Sequence, residues 1–383
     1  MRWEGAESRP AAVVRQEAQS MTRVTRLVFV VACVVGISGA VVAPAAGQNP
    51  WRLQSPDGKS WVQFGLLAQA QGEWISTADA KDTAQNLFLR RLRLVFGGKV
   101  NDKITFFVET DSPNLGKGLA TGRKDEPLFL QDVILTYTFR DEFQIDTGML
   151  LTPLSHNGGQ GATTLLNIDY GPYSFLYSDP TTSKVGRDYG VQARGYVFKK
   201  HFEYRLGAFQ GVRGTAATTP LRVVARAVWY PFEAETGFFY TGTNLGARRI
   251  LAIGASYDRQ DDYQTIGADL YWDWKLKGGN GVTAQADVVR FDGGTTLSTL
   301  LRQNVWLVEA GFYHGASKFG PFVQAAGRDF SATSSIDEQK VVGGVAWWGS
   351  GHRFNVKVGL ARLTRDVGPA RTQFIVQGQV YMY

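Results

Sequence analysis

The sequence predicts an all-β protein, a transmembrane antiparallel β-barrel of about 16 strands, and three observations carry that reading. Apolar residues alternate with polar ones in pieces of about ten residues, the length of a tilted membrane strand. Short turns alternate along the chain with longer polar segments, as a barrel with one short-turn rim and one long-loop rim requires. Beyond Ala46, no apolar run is long enough to cross a bilayer as a helix.

The composition agrees. The 383 residues carry 41 Lys and Arg against 34 Asp and Glu, a formal net charge of +7 that is spread along the chain, so nucleic acid is not an expected partner. Hydrophobic residues at 44% and aromatics at 13% exclude a disordered polyelectrolyte. A mean hydropathy of −0.16 excludes a polytopic helical membrane protein. The single cysteine, Cys33, excludes a disulfide scaffold and a cysteine-based metal centre.

Taken in order, the first element is a leader. The apolar run 27–42, LVFVVACVVGISGAVV, follows a basic start at Met21, Arg23 and Arg26 and precedes the small-residue site Ala43-Pro44-Ala45-Ala46. That order matches a secretory signal peptide. A membrane anchor needs roughly 20 apolar residues, and Gly36 and Gly39 interrupt this shorter run. The expected organisation is a cleaved signal peptide over 1–45 with Met21 as the expected start, a short periplasmic segment over 46–60, and a barrel domain over 61–383.

The strands follow. In 61–74, Val62, Phe64, Leu66, Ala68 and Ala70 alternate with Gln63, Gln69, Gln71 and Glu73. In 84–99, Leu92, Leu94 and Phe96 take one face and Arg91 and Arg93 the other. In 265–274, Ile266, Ala268, Leu270, Trp272 and Trp274 alternate with Asp269, Tyr271 and Asp273. Trp306, Val308, Ala310 and Phe312 flank Glu309, and Phe354, Val356, Val358 and Leu360 flank Asn355 and Lys357. Short turns are expected at 101–103, 140–142, 199–201, 315–318 and 349–352, with a longer Gly-rich turn at 275–281. Between them lie longer polar segments near 76–86, 112–127, 153–186, 211–220, 292–302, 330–338 and 364–372. Aromatics gather at strand ends, with Tyr137, Phe139 and Phe143 about one turn, Phe198 and Phe202 about another, and Trp347 and Trp348 at a third, where interfacial girdles belong.

Two places resist the pattern. The stretch 232–248 is either an irregular connection or an added pair of strands, which leaves about 14 and about 18 strands open. At the end of the chain, Tyr381 and Tyr383 share a parity with Gln377 and Gln379, while Phe374, Val376 and Val380 take the other. A bulge is one way to reconcile these, so the register of the last strand stays open.

Several phrases, in order, resemble the phosphate-selective porin family (porins O and P): RRLRLVFGG at 90–98, LQDVILTYTF at 130–139, TGMLLTPLS at 147–155, GRDYGVQARG at 186–195 and GHRFNVKVG at 351–359. The resemblance spans about 61–383. It implies a homotrimeric 16-stranded channel in the outer membrane, in contact with outer-membrane lipid, passing anions (phosphate among them) or small hydrophilic solutes. It also implies that the segment after the fifth strand, about 153–186, folds inward and narrows the pore. The charged candidates there are Asp169, Asp179 and Lys184, with Arg187 at the rim.

Charges on the inward parity make the pore-lining candidates. The basic ones are Arg91, Arg93, Arg194, Arg205, Arg222, Arg226, Arg328 and Lys357. The acidic ones are Glu73, Glu109, Asp111, Asp132, Asp146, Asp188, Glu203, Asp258, Asp269, Asp273, Asp287 and Glu309. The acids outnumber the bases, so the wall is not simply an anion filter. Charges of both signs on neighbouring strands are expected to pair, and a wet lumen screens them over about 8 Å. The expected result is a wide, passive, weakly selective channel. Arg91 and Arg93 are the best anion-facing pair, because guanidinium binds oxyanions in a bidentate way. Pairing with Glu109 is the competing reading. A receptor or structural barrel without general pore activity is the alternative function.

Signals of catalysis are weak, and neither cofactor nor metal is expected. Gly58-Lys59-Ser60 would need a glycine where Leu53 stands to end a P-loop. His156, His201, His314 and His352 lie far apart, with no HExxH and no G-x-S-x-G. The dipeptide Ser155-His156 reads as a solvated loop.

Overall fold

A strand whose every second side chain is apolar and outward still carries backbone donors and acceptors along both edges. Where no water reaches them, only neighbouring strands can satisfy them, so the sheet must close. The structure, a computed structural model, describes residues 51–383 apart from 120, 126, 182–184 and 333–334. The expected leader and its start at Met21, residues 46–50 and Lys184 lie outside the described residues.

Sixteen strands form the wall: β1 Trp61–Ser76, β2 Thr83–Lys99, β3 Ile104–Asp111, β4 Phe129–Arg140, β5 Phe143–Leu151, β6 Arg187–Val197, β7 Phe202–Phe209, β8 Arg222–Trp229, β9 Arg249–Gln260, β10 Tyr263–Lys275, β11 Gly281–Asp292, β12 Gln303–Tyr313, β13 Phe319–Phe330, β14 Glu338–Trp347, β15 Phe354–Arg365 and β16 Arg371–Met382. Each pairs antiparallel with its successor. β16 returns to β1, with Leu66 opposite Met382 and Ile75 opposite Gln373, which closes the ring. Arg52–Gln54 adds a short antiparallel pairing onto the start of β1.

The outer face is apolar in the way hydrocarbon demands. Leu206, Ile266, Val308, Val323, Val345 and Leu360 point out of the ring, and Leu360 is 64% exposed. At the short-turn rim the outward aromatics touch one another. Phe139 lies 4.5 Å from Tyr137 and 5.1 Å from Phe143 between ring centroids, and Trp347 sits between Phe319 and Phe354 at 6.2 and 5.8 Å. Trp348 does not join this girdle. It is fully buried and faces inward, packed on Tyr313 at 5.5 Å.

The two irregularities resolve differently. The segment 230–248, where 232–248 resisted the strand count, adds no strand; it connects β8 to β9 from the short-turn rim and turns into the interior. The last strand carries no bulge, because β16 runs in unbroken register with both β15 and β1. Gln377 and Gln379 are inward and buried, Phe374 and Val380 are outward, and Phe374 stacks near Trp74 at 5.5 Å. Tyr383 therefore follows the inward parity, and its hydroxyl occupies the space that a Cβ on Gly97 of β2 would fill. A bulge appears instead in β2: Gln69 pairs with Arg91 and Ala70 with Leu89, leaving Arg90 as the extra residue.

Sixteen strands enclose more volume than their own side chains can fill. Part of the interior is taken by loop residues on apolar seats. Leu166 and Ile168 pack on Phe322, Val342, Ala346, Ala361 and Ile375, while Leu154, Tyr173, Tyr177, Leu297 and Leu300 pack on Phe209, Val224, Phe291 and Leu307.

The outer face gives a direct test. Leu270 is outward at the middle of β10. Leu270→Arg is expected to cost about 2–4 kcal/mol, as a guanidinium at the bilayer midplane does. Urea unfolding in lipid vesicles measures it, and an unchanged stability would place that face outside lipid.

Candidate functional site

The inward parity holds for the charged candidates on the strands, and the register lays several of them side by side. Arg194 of β6, Arg205 of β7 and Arg226 of β8 stand directly opposite one another in a row. Like charges so placed repel, and each is answered by its own carboxylate. Arg194 donates to Asp146 at 2.7 Å and Arg205 to Glu203 at 2.6 Å. Arg226 grips Asp269 with two bonds of 2.5 and 2.8 Å. Arg222 does the same to Asp258 at 2.8 and 2.5 Å and reaches Asp188 at 3.4 Å. Arg328 meets Glu338 at 2.5 Å. Arg187 holds Asp132 at 3.1 and 2.9 Å.

Arg93 binds Glu109 at 2.5 Å and Asp111 at 2.9 Å, so its competing reading as a wall ion pair describes it better than an anion-facing role. Arg91 donates to Gln69 at 2.7 Å and to Asp169 at 2.6 Å, and Arg90, turned inward by the bulge, takes the other Asp169 oxygen at 2.7 Å. Asp169 is thus a loop carboxylate clamped by two guanidiniums. Burial pushes its pKa up, but Arg90 and Arg91 outweigh burial and hold it well below the usual carboxylate range. Asp179 is exposed and Arg187 is buried.

The remaining inward groups hold two chain segments that enter from opposite rims. From the long-loop rim, 152–186 is caught by Gln69 on the Ala162 carbonyl at 3.4 Å, Gln379 on Thr163 at 2.9 Å and Gln324 on Asp169 at 3.4 Å. Lys357 donates to the carbonyls of Leu165 and, at 2.7 Å, Asn167. Asp287 accepts the Asn157 amide at 3.2 Å. Gln285 donates to Glu309 at 3.0 Å, and Tyr271 and Thr283 donate to Asp273 at 2.9 and 3.2 Å. From the short-turn rim, 230–248 is caught by Arg205 on the carbonyls of Phe238 and Gly237 at 2.8 and 3.1 Å, and by Arg226 on the Tyr240 hydroxyl at 3.0 Å.

The two segments meet inside. Tyr240 N–H donates to Gly159 at 2.8 Å and Gly161 N–H to Tyr240 at 2.9 Å, a parallel bridge between loops. A Cβ on Gly159 would lie 2.5 Å from the Tyr240 ring, so only glycine permits the approach. His156 fastens the junction, with Nε2 at 2.7 Å from Glu235 and its ring stacked on Tyr271 at 3.9 Å and Tyr240 at 4.9 Å. The dipeptide Ser155-His156 is therefore buried, against the expectation of a solvated loop. Sequence reasoning missed Arg90, His156, Glu235 and Tyr240. The usable signal was a run of glycines and aromatics, Gly237-Phe238-Phe239-Tyr240-Thr241-Gly242, where a short turn was due.

A wide aqueous lumen would leave its lining exposed. Gln69, Arg91, Asp132, Arg226, Asp269, Glu309, Lys357 and Gln377, from strands all round the ring, are each at most 5% exposed. Against the expectation of a wide lumen, these wall side chains are covered by the inward segments and by one another. At the long-loop rim lies a cavity of about 230 Å³ whose charged lining is Glu73, Arg90, Lys117, Asp169 and Lys340. Among the described residues, no group of His, Cys, Asp and Glu could hold a metal ion.

The junction makes a pH prediction. Burial pushes the His156 pKa down, but Glu235 beside it outweighs burial and raises it above its ordinary 6.5. A group whose folded pKa is raised stabilises fully below the unfolded value and loses that contribution as pH rises through the folded one. The stability lost in Glu235→Gln is therefore expected to be larger at pH 6 than at pH 9, read by thermal unfolding in detergent. An equal loss at both would separate His156 from Glu235.

With this geometry in place, comparison identifies the chain. A model of the phosphate-selective porin O and P family matches residues 73–321. No curated protein matches. Among solved structures, the chain is similar to OmpF of Salmonella typhi in complex with daunomycin (TM-score 0.57, 10% identity, 85% of this chain and 100% of that one). It is similar also to the outer-membrane channel DcaP of Acinetobacter baumannii (TM-score 0.56, 12% identity, 86% and 99%). A third likeness is the trimer form of OmpT, an outer-membrane protein of Vibrio cholerae (TM-score 0.53, 10% identity, 84% and 99%). Identities this low show the fold alone, while the family match spans well over half the chain. The chain belongs to the phosphate-selective porin O and P family and is an outer-membrane channel for small solutes.

Proposed function

We propose that this channel is narrow and anion-preferring, works as a homotrimer, and is constricted by 153–186 together with 230–248. The observation that carries the reading is the ring of buried inward charges. Its arginines are paired with carboxylates along the wall, and a cationic surplus stands at the long-loop mouth. There Arg90, Arg91, Lys117 and Lys340 face Glu73 and Asp169, and Lys340 makes no hydrogen bond or ion pair with any described residue. Paired wall charges present little net field to a passing ion, so the mouth sets the sign of preference. In the exported protein the short turns lie on the periplasmic side, together with Arg52–Gln54 paired onto the start of β1. The trimer form of OmpT supports the assembly proposed here. The fold and family favour a channel over an enzyme.

Planar bilayers under a KCl gradient test the reading. A small discrete conductance with chloride preferred over potassium is expected, with phosphate carried among other anions and disaccharides excluded in liposome swelling. Asp169→Asn frees Arg90 and Arg91 and is expected to raise anion preference about threefold, which is what about 0.7 kcal/mol from one unit charge at about 6 Å in water gives. Cation selectivity would overturn the proposal. Absence of any conductance would favour the receptor or structural barrel, a reading the burial of the inward ring also fits.

A further inference from the structure

The arginines of the inner wall each hold a carboxylate, whereas three outward ones in the long-loop half of the barrel hold none. These are Arg259 of β9, Arg290 of β11 and Arg362 of β15, all exposed. Arg290 and Arg362 make no hydrogen bond or ion pair with any described residue, and Arg259 donates to the Asp261 carbonyl at 3.1 Å. Arg290 and Arg362 stand at one height. Arg290 lies opposite Ile266, eight residues along β10 from Trp274 at the short-turn rim (274 − 266). Arg362 lies eight residues along β15 from Phe354 at the same rim (362 − 354). At about 3.3 Å per residue and a tilt of about 40°, eight residues climb about 20 Å, near the top of an apolar band about 25 Å tall. Exposed aliphatics adjoin both: Val288 and Ile266 at Arg290, Leu360 and Val341 at Arg362. Nearby acids are few. Asp292, on the same face as Arg290, is taken by Arg302 at 2.5 and 2.8 Å. Asp329 lies two strands from Arg290, across Asn304. Asp261 and Asp262 sit in the turn beyond Arg259, so the surplus is clearest at Arg290 and Arg362.

We propose that this outward border binds lipid whose headgroup carries phosphate, with Arg290 and Arg362 as its anchors. The inference needs only the barrel's place in the outer membrane and stands apart from the selectivity reading above. A guanidinium facing hydrocarbon is costly at the bilayer midplane and nearly free at the interface. From the top of the apolar band, an arginine stem reaches the headgroup layer while lying along its aliphatic neighbours. There its planar fork suits the oxygens of a phosphate, which accept two parallel bonds. The shape of the surface selects a lipid over free phosphate. Arg290 heads the outward column Val288 and Ala286, and Arg362 heads Leu360 and Val358. Acyl chains remove such a column from water; inorganic phosphate gains nothing from it. A second copy of the chain fits less well, because it would have to bring carboxylates to this height, and the outward strand position that offers one free of a cation among the described residues is Asp329.

The test uses the full exported chain refolded in detergent, with bound lipid counted by native mass spectrometry. The probes are lipid A (a disaccharide lipid with two phosphates), a phosphate-free disaccharide lipid of matched acyl chains, and inorganic phosphate as competitor. Lipid A is expected to bind about tenfold or more tightly than the phosphate-free lipid, and an equal concentration of inorganic phosphate should not displace it. Arg290→Gln combined with Arg362→Gln should weaken lipid A about tenfold or more, since charge-assisted bonds are lost. Lysine at both positions should retain binding within a few-fold. Arg249→Gln, outward beside Trp274 at the short-turn rim, should leave it unchanged. KCl conductance of the double glutamine variant should equal that of the parent, because both side chains point away from the lumen, and this shows that the barrel is intact. Should that variant fail to fold, the comparison of the two lipids on the parent protein still decides. Equal binding of the two lipids, displacement by inorganic phosphate, indifference to the double substitution, or an equal loss in Arg249→Gln each overturns the proposal. So does dissociation of an oligomer in the double variant, which would make these arginines subunit contacts.

Discussion

Backbone hydrogen bonding in a medium without water governs everything else in this molecule. Each amide and carbonyl facing hydrocarbon needs a partner within the protein, and the pairing of β16 with β1 supplies the last of them. Closing sixteen strands sets a circumference, and the circumference creates a volume that wall side chains cannot fill. Two connecting segments therefore turn inward. Their own backbone groups then need partners in turn, and Gln69, Gln324, Lys357, Gln379 and Arg205 provide them from the wall. Much of the polar inner face is in this sense the other half of a loop's hydrogen bonding.

The charges obey the same economy of satisfaction. Arg226 and Asp269 are both fully buried. Removing one partner of such a pair is worth about 3–5 kcal/mol because the survivor is stranded. The pair is thus far stronger as a structural lock than as a lure for ions, and the row Arg194, Arg205, Arg226 acts as a set of neutralised posts bracing 230–248 and the wall. In the proposed channel, selectivity then falls to charges at the mouth, where burial is partial.

Much of the fold was readable from the chain because one physical signal, period-two alternation, reports which face meets hydrocarbon. Strands such as 265–274 and 354–360 showed it without ambiguity, and the inward parity of Arg93, Asp269, Glu309 and Lys357 came with it. The misreadings share a cause. Arg90, which strict alternation with Arg91 and Arg93 would turn outward, faces inward because a single bulge in β2 shifts parity without leaving a mark in composition. Trp348 was placed in the girdle because adjacency to Trp347 does not say which of two neighbours points out. His156 was taken as solvated because its partner, Glu235, lies on a segment entering from the opposite rim, and nothing in local sequence announces a contact 79 residues away.

Sequence by itself determined that a closed barrel forms, which face of the regularly alternating strands is outward, and that inward charges of both signs are available to pair, because those properties follow from each strand and its nearest neighbours. Tertiary structure alone decided how open the interior is. Whether a long segment stays at the rim or folds onto the wall depends on apolar seats, such as Phe322 and Val342 beneath Leu166 and Ile168, that are assembled from four strands at once. It also decided which charges pair with which, because pairing is a contest among all the groups that the closed ring brings within reach.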